Sequence, residues 1–255
     1  MERTEREARR IFGKRAAFYS TSPAHMDAQV LTRVVTLASP QPDWTVLDIA
    51  TGAGHTAFAL APSVRIVVGT DLTPQMLAEA RRLRDERTLA NVAFSLADVH
   101  DLPCPSAAFH LITCRRAAHH FSRIRRALSE MHRVLRRGGR LVIDDRSVPE
   151  DDFVDACMNE LDRYHDESHV RQYRASEWRD MLETQRFVVE TLECYAKHRP
   201  LSALTEGVSP ENVGRIDAVL DRLTPAQREA LHLQDVEGER YLNHWYVMIA
   251  AVKRA

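Results

Sequence analysis

The chain has 255 residues, of which 44% are hydrophobic, so we expect one α/β domain with a substantial core. Lys and Arg number 35 against 36 Asp and Glu, and this balance disfavours nucleic acid as a partner. No apolar run is long enough to cross a bilayer, and the charged N-terminus lacks a secretory signal. The 4 cysteines include no Cys-x-x-Cys pair, which predicts reduced thiols in a cytoplasmic protein and no metal site.

Residues 2–36 have the apolar spacing of helices, and the segment 18–25 interrupts it with aromatic and hydroxyl side chains. Taken alone, this segment is better interpreted as a corner between two helices that packs on the core. The other interpretation is a lid over a site, and in that case Tyr19 and His25 would contact substrate.

Strand-like and helix-like segments alternate from residue 45 to residue 145. We predict strands over 45–50, 65–71, 92–97, 111–115 and 139–144, and helices over 54–61, 73–88 and 121–137. Thr73-Pro74 has the composition of a helix start, and Gly138-Gly139 that of a helix end. The alternation predicts a doubly wound parallel sheet, in which ligands bind beyond the carboxyl ends of the strands.

Residues 146–255 have a different pattern, that of helices followed by two more strands. We predict helices over 151–165 and 176–184, strands over 187–195 and 245–252, and a helical insertion between these strands that covers the active face. The total is seven mostly parallel strands with helices on both faces. We expect a single domain, 1–255, with N-terminal helices or a lid over 1–44, a cofactor-binding core over 45–145 and substrate-side elements over 146–255.

The turn after the first strand, 52–57, matches G-x-G-x-x-A, and Asp71 ends the next strand. This pair alone permits an NAD(P)-dependent oxidoreductase. Two further carboxylates disfavour it: Asp48 lies where a dinucleotide site has an apolar residue, and Asp98 follows the third strand. A Tyr-x-x-x-Lys pair for hydride chemistry is also absent from the sequence.

Five ordered segments resemble the class I S-adenosylmethionine-dependent methyltransferases, in the methyltransferase type 11 branch that contains the ubiquinone and menaquinone biosynthesis C-methyltransferases. These segments are 46–54, 69–76, 97–103, 109–121 and 133–141. Five motifs in the family's order are far more specific than one glycine turn. The resemblance implies a Rossmann-like fold and S-adenosyl-L-methionine as cofactor, with S-adenosyl-L-homocysteine as product.

The resemblance also implies roles by position. Asp48 would face the methionine ammonium and Asp71 the ribose hydroxyls, while Asp98 would accept from the adenine amine. The full predicted cofactor set is Asp48, Ala50, Gly52, Gly54, Asp71, Leu72, Met76, Ala97, Asp98, Val99, Cys114 and Arg115. Ala50 replaces a family glycine, and we expect it to be tolerated if its backbone is extended.

Methyl transfer is a displacement that mainly needs positioning, and a base helps only where the acceptor must lose a proton. His119 and His120 follow the fourth strand and are the candidate catalytic bases, although for each one a packing or capping role is somewhat favoured. Arg116 would hold an anionic acceptor or form a surface ion pair. The predicted substrate set is Tyr19, His25, Arg116, His169 and Arg171.

The expected function is methyl transfer from S-adenosylmethionine to a carbon or oxygen of a small molecule. An oxidoreductase and a non-catalytic S-adenosylmethionine-binding protein are the alternatives. We expect no nucleic-acid partner and no membrane span, and a homodimer cannot be derived from the sequence.

Overall fold

A computed structural model describes residues 3–254 and contains one sheet of nine strands. The strands are β1 (Thr45–Ile49), β2 (Ile66–Asp71), β3 (Val92–Leu96), β4 (Phe109–Arg115), β5 (Leu135–Val148), β6 (Tyr173–Arg174), β7 (Phe187–Pro200), β8 (Gln234–Val236) and β9 (Glu239–Lys253). Seven strands run side by side in the order β3-β2-β1-β4-β5-β9-β7. The first five are parallel and β9 is antiparallel to both neighbours, which confirms the predicted mostly parallel, doubly wound sheet.

Ten α-helices accompany the sheet in the described part of the chain. They are α1 (Arg3–Thr21), α2 (Ala28–Ala38), α3 (His55–Leu60), α4 (Pro74–Glu86), α5 (Ile124–Val134), α6 (Asp152–His165), α7 (Ala175–Thr184), α8 (Ser202–Thr205), α9 (Pro210–Asp221) and α10 (Pro225–Ala230). Among residues 3–254, no helix is both long and apolar enough for a membrane span.

Helices cover both faces of the sheet, and the side chains of successive strand residues pack against them in turn. Leu47 packs in a cluster with Leu128 of α5 and Trp178 of α7. Its neighbour Val46 packs in a second cluster with Val34 of α2. Since successive strand residues point to opposite faces, these parallel strands are covered on both sides, as their apolar sequences require.

Several element boundaries differ from the prediction. The helix predicted over 121–137 ends at Val134, and Gly138-Gly139 lies inside β5. Phe109 of β4 pairs with Leu135 of β5, and Leu111 pairs with Arg140. Two residues of β4 therefore correspond to five residues of β5, which is an irregularity in the register. The φ of Gly138 is +69°, so the glycine signal for a helix end marks an irregular strand instead. No sequence signal predicts β6 and β8, which have only two and three residues.

The predicted helical insertion lies between β7 and β9 and consists of α8, α9, α10 and the short strand β8. It packs on α6 through a separate apolar cluster that includes Met158, Ile216 and Leu220. Thr224 and Gln227 form a capping box at the start of α10. The insertion therefore has a core of its own, beside the two cores of the sheet.

The turn between β1 and α3 depends on Gly54, which precedes α3 with φ +90°. An added Cβ would lie 2.7 Å from Cζ of Phe58. We predict that Gly54→Ala lowers the free energy of unfolding by about 2 to 4 kcal/mol, from left-handed backbone strain plus overpacking.

The matched control is Gly214→Ala, because Gly214 lies inside α9 with open space around it. There alanine should raise stability by up to about 1 kcal/mol. Denaturant unfolding of both variants checks the pair, and equal effects would contradict this account of the turn.

Candidate active site

One cavity lies at the carboxyl ends of β1 and β2 and is closed on one side by α1. The predicted site residues that line it are Tyr19, His25, Asp48, Ala50, Gly52, Asp71, Leu72, Met76, Ala97, Asp98, Val99, Arg115, Arg116 and His120. Parallel strands bring these residues together although they are far apart in sequence. The cavity thus unites most of the residues proposed from sequence.

The other five predicted residues do not line the cavity. Gly54 precedes α3, and Cys114 is buried in the sheet core. His119, His169 and Arg171 are bonded to groups behind the cavity wall, described below. Their proposed roles stay predictions without a cavity contact in this structure.

Asp48 is the most deeply buried carboxylate of the cavity, with 1% of its surface exposed. Its two oxygens accept from Thr113 Oγ1 and Thr51 Oγ1, each at 2.6 Å. Burial raises the pKa of Asp48 to about 6, although these two hydrogen bonds and Arg115 oppose the shift. No cation lies in hydrogen-bond contact with the carboxylate among the described residues, so the site is suited to a cationic ligand.

Asp71 ends β2 and holds the glycine turn in place. Its Oδ2 accepts from the Gly52 backbone N–H at 2.9 Å, and its Oδ1 accepts from the Thr73 N–H at 2.8 Å. Burial raises the pKa of this carboxyl, with the backbone hydrogen bonds acting in the other direction. Each oxygen keeps a lone pair for a further donor, as a pair of ligand hydroxyls would supply.

Ala50 links β1 to the turn with φ +50°. The expectation that this backbone is extended is therefore wrong, because it adopts the left-handed conformation that favours glycine. The family's glycine at this position has a physical reason, and alanine adopts the same conformation here with some strain.

Arg115 is one of two arginines that line the cavity. Its Nε donates to Thr56 Oγ1 at 2.9 Å and its Nη2 donates to the His25 carbonyl at 2.7 Å. Its Nη1 is buried and has no hydrogen-bond partner among the described residues. An unpaired buried donor of a charged group is costly, so this atom is suited to a ligand carboxylate.

Arg116 lines the same cavity but is paired within the protein. Its Nε donates to Asp144 at 2.9 Å and its Nη2 donates to the hydroxyl of Tyr195 at 3.1 Å. The guanidinium also lies 3.8 Å from the ring centre of Tyr246. This set of partners gives Arg116 a structural role and leaves Arg115 as the arginine with a free donor.

The edge of the cavity near Asp98 contains side chains that the sequence did not single out. Asp98 Oδ1 accepts from the backbone N–H of His100 at 2.9 Å and lies 2.7 Å from its Nδ1. Glu5 of α1 reaches the same place, where its Oε1 accepts from Ser122 and its Oε2 is buried without a partner. A lone Glu in an amphipathic helix carries no sequence signal for such a role.

Helix α1 is the wall that covers the cavity. Phe12 and Tyr19 line it, and their rings meet edge to face at 5.7 Å. Tyr19 lies in the last turn of α1 rather than in a loop, and its carbonyl accepts from His55 Nε2 at 3.2 Å. Burial is the main cause that raises the pKa of Tyr19 to about 12, so the phenol is neutral. Tyr19 and His25 therefore lie at the corner between two helices and also form part of the cavity wall, so both interpretations of this segment apply.

The two adjacent histidines have different environments. His119 is buried, its Nδ1 bonds to Asp145, and burial lowers its pKa well below the ordinary value. His120 lines the cavity, and its Nδ1 bonds to Ser168. Of the two candidate bases, His120 is the one that a ligand in the cavity can reach.

His169 and Arg171 belong to a polar cluster with side chains of α6 and α7. His169 Nε2 lies 3.0 Å from Asn159 Oδ1. Arg171 donates to both oxygens of Asp155, at 3.0 and 2.9 Å, and to Glu177 at 3.0 Å. These bonds tie the segment after α6 to α6 and α7, which is a structural role.

Comparison with known proteins shows the family to which this chain belongs. Residues 46–139 match the family model described as a methyltransferase domain. The uncharacterized methyltransferase YcgJ of Bacillus subtilis is 37% identical over 182 residues, 71% of this chain and 72% of that protein. Its crystal structure superposes with a TM-score of 0.84 and 30% identity, covering 88% of this chain and 98% of that one.

The ubiquinone/menaquinone biosynthesis C-methyltransferase UbiE of Geobacter is 33% identical over 108 residues, 41% of this chain and 46% of that protein. The chain therefore belongs to the class I S-adenosylmethionine-dependent methyltransferases, in the UbiE-like branch. The predicted family, fold class and cofactor are confirmed, and the oxidoreductase alternative is wrong.

Asp48→Asn removes the buried negative charge but keeps the hydrogen bonds, because asparagine can still bond to Thr51 and Thr113. The folded-state pKa of about 6 lies above the ordinary 3.8, so ionised Asp48 lowers stability increasingly as pH rises between these values. At neutral pH we predict that the ligand-free variant is more stable than the wild type by about 1 to 3 kcal/mol. This gain should vanish near pH 4.

The measurement is urea unfolding at both pH values, with Asp85→Asn as control because Asp85 is exposed on α4. A variant less stable than the wild type at neutral pH would show that the Asp48 charge does not destabilise the fold.

Proposed function

We propose that this methyltransferase transfers the methyl group to a carbon or oxygen of a small molecule and releases S-adenosylhomocysteine. One observation carries the proposal: a single cavity contains two buried carboxylates without an ion partner and the free Nη1 of Arg115. These groups match the charges of a zwitterionic amino acid joined to a nucleoside. When bound, S-adenosylmethionine supplies a methyl carbon that is already activated by the sulfonium.

The charged groups suggest where each part of the cofactor binds. Asp48 would pair with the ammonium, and Arg115 Nη1 would donate to the carboxylate of the methionine part. Asp71 would accept from the two ribose hydroxyls. The φ of Gly52 is +55°, and a Cβ added there would have no atom within 4 Å, so the backbone is open to a ligand.

The remaining predicted cofactor residues form the adenine side. Leu72 and Met76 would pack on the ring, and the free oxygen of Asp98 would accept from its amine. Ala97 and Val99 border the same region, and backbone groups of 114–115 would complete the methionine side. Gly54 would act indirectly, by holding the turn.

The acceptor would bind between the cofactor and α1, beside Phe12, Tyr19, His25 and His120. This placement supports a single domain in which residues 1–44 form a lid and 45–145 bind the cofactor. Residues 146–255 would then back the acceptor side. A cavity closed by a helix favours a small molecule over a macromolecule as acceptor, and the near-neutral charge disfavours nucleic acid.

Calorimetry with S-adenosylhomocysteine tests the cofactor assignment. We predict that Asp71→Ala weakens its binding by at least about tenfold, which is about 1.4 kcal/mol, through loss of charge-assisted hydrogen bonds. Asp85→Ala on the surface of α4 should leave the dissociation constant unchanged. An unchanged constant in Asp71→Ala would refute the ribose assignment.

A methyl-transfer screen of quinols, phenols, carboxylates and thiols tests the catalytic part. Tight cofactor binding without transfer to any acceptor of a broad panel would favour a non-catalytic S-adenosylmethionine-binding protein instead.

A further inference from the structure

His120 is connected to a carboxylate outside the cavity through one serine. Its Nδ1 lies 3.0 Å from Ser168 Oγ and 3.2 Å from the Ser168 carbonyl oxygen. Ser168 Oγ lies 2.6 Å from Asp166 Oδ1, which also accepts from the Ser168 backbone N–H at 2.8 Å. Ser168 is fully buried and Asp166 is 6% exposed, so bulk water has little access to this chain of bonds.

The direction of each hydrogen bond follows from the charge of Asp166. The pKa of this carboxyl is lowered although burial opposes its ionisation. The two hydrogen bonds from Ser168 favour the charged form, and the Arg15 guanidinium lies 4.0 Å away. The ionised carboxylate can only accept, so the single hydroxyl hydrogen of Ser168 is donated to Asp166. Ser168 Oγ is then an acceptor toward His120.

Both neighbours of His120 Nδ1 are therefore acceptors, because the Ser168 carbonyl oxygen also only accepts. Nδ1 must carry a hydrogen, and in the neutral ring Nε2 is then the unprotonated nitrogen. Nε2 makes no hydrogen bond with any residue whose side chain the structure describes, while the ring lines the cavity. The tautomer is thus set by groups behind the wall and leaves a basic nitrogen for the ligand side.

We propose that His120 Nε2 is the general base of the reaction, that Asp166 and Ser168 are its positioning residues, and that the acceptor carries a proton on the atom that is methylated. This inference rests on the proposed methyl transfer. Among the carbon and oxygen acceptors of that proposed function it favours a phenol, an enol or a carbon acid, and it excludes acceptors with no proton to lose, such as thioethers and tertiary amines.

The step balances as a displacement with one proton transfer. The acceptor–hydrogen bond would break and leave its electron pair on the acceptor atom, which would form the bond to the methyl carbon, while the methyl–sulfur bond would break and leave its pair on sulfur. The proton of the acceptor moves to His120 Nε2, which gives an imidazolium. The negative charge of Asp166 stabilises that imidazolium through Ser168, as a buried carboxylate does for a catalytic histidine.

The other charged and titratable groups around His120 do not take the role of the base or of its carboxylate partner. His119 lies 4.0 Å away between ring centres, and burial lowers its pKa well below the ordinary value, so it is neutral. Burial raises the pKa of Asp145 to about 6, and His169 is kept neutral by burial with a pKa of about 3. From α1, Arg15 lies 4.0 Å from Asp166, and the neutral Tyr19 faces the same carboxylate.

The tautomer can be measured without knowing the acceptor. Long-range proton–nitrogen NMR spectra of histidine side chains are recorded on the S-adenosylhomocysteine complex at neutral pH, and His120→Gln assigns the His120 signals. The expected result is the Nδ1–H tautomer. The Nε2–H tautomer would overturn the base assignment alone, whereas failure of S-adenosylhomocysteine to bind would overturn the proposed function beneath it.

Measurements of turnover distinguish a positioning role of Asp166 from a merely structural one. Asp166→Asn keeps an oxygen acceptor for Ser168 but removes the charge, so kcat should fall at least about tenfold with little change in KM for S-adenosylmethionine. His120→Ala should lower kcat about 100-fold or more.

Glu167→Gln is the matched control, because this neighbouring carboxylate is exposed and pairs with Arg10. Equal kcat in Asp166→Asn and the wild type, or transfer to trimethylamine or dimethyl sulfide that His120→Ala leaves unchanged, would overturn the proposal.

Discussion

The burial of carboxylates at the carboxyl edge of the sheet is the constraint on which the site depends. Asp48 and Asp71 are taken out of water without a paired cation, which is unfavourable for the empty protein. Hydroxyl groups of Thr51 and Thr113 and the backbone N–H groups of Gly52 and Thr73 offset part of this penalty. A cationic, hydroxyl-rich ligand would offset the remainder, so the buried charges would lower the stability of the ligand-free protein and raise its affinity for the ligand.

Arg115 connects this edge to the elements that close the cavity. It bonds to Thr56 in α3 and to the carbonyl of His25, in the corner after α1, while one donor stays free. The neighbouring Arg116 pairs with Asp144 and Tyr195 instead. The two adjacent arginines therefore differ: Arg115 keeps one donor free, and Arg116 is engaged with groups of the sheet. A ligand carboxylate on Arg115 would also stabilise the corner that covers it.

Much of the cofactor edge could be predicted from sequence, because parallel strand order forces Asp48, Asp71 and Asp98 to one side of the sheet. The acceptor side could not. Spacing does not distinguish His119 from His120, since the 3-10 turn that holds them has no face set by strand alternation. His169 and Arg171 bond to α6 and α7 through contacts that no local pattern reveals. Glu5 and Ser168 carry no motif, and their positions follow from long-range packing.

The proposed site rests on one cavity that would bind both charged ends of the methionine part of the cofactor. The sharpest test compares calorimetric affinities of S-adenosylhomocysteine and 5′-methylthioadenosine, which lacks those ends, for the wild type and Arg115→Met. We expect the variant to lose at least about tenfold in affinity for S-adenosylhomocysteine and to change little for methylthioadenosine. Equal losses for both ligands would contradict this recognition, because Arg115 would then only hold the cavity wall together.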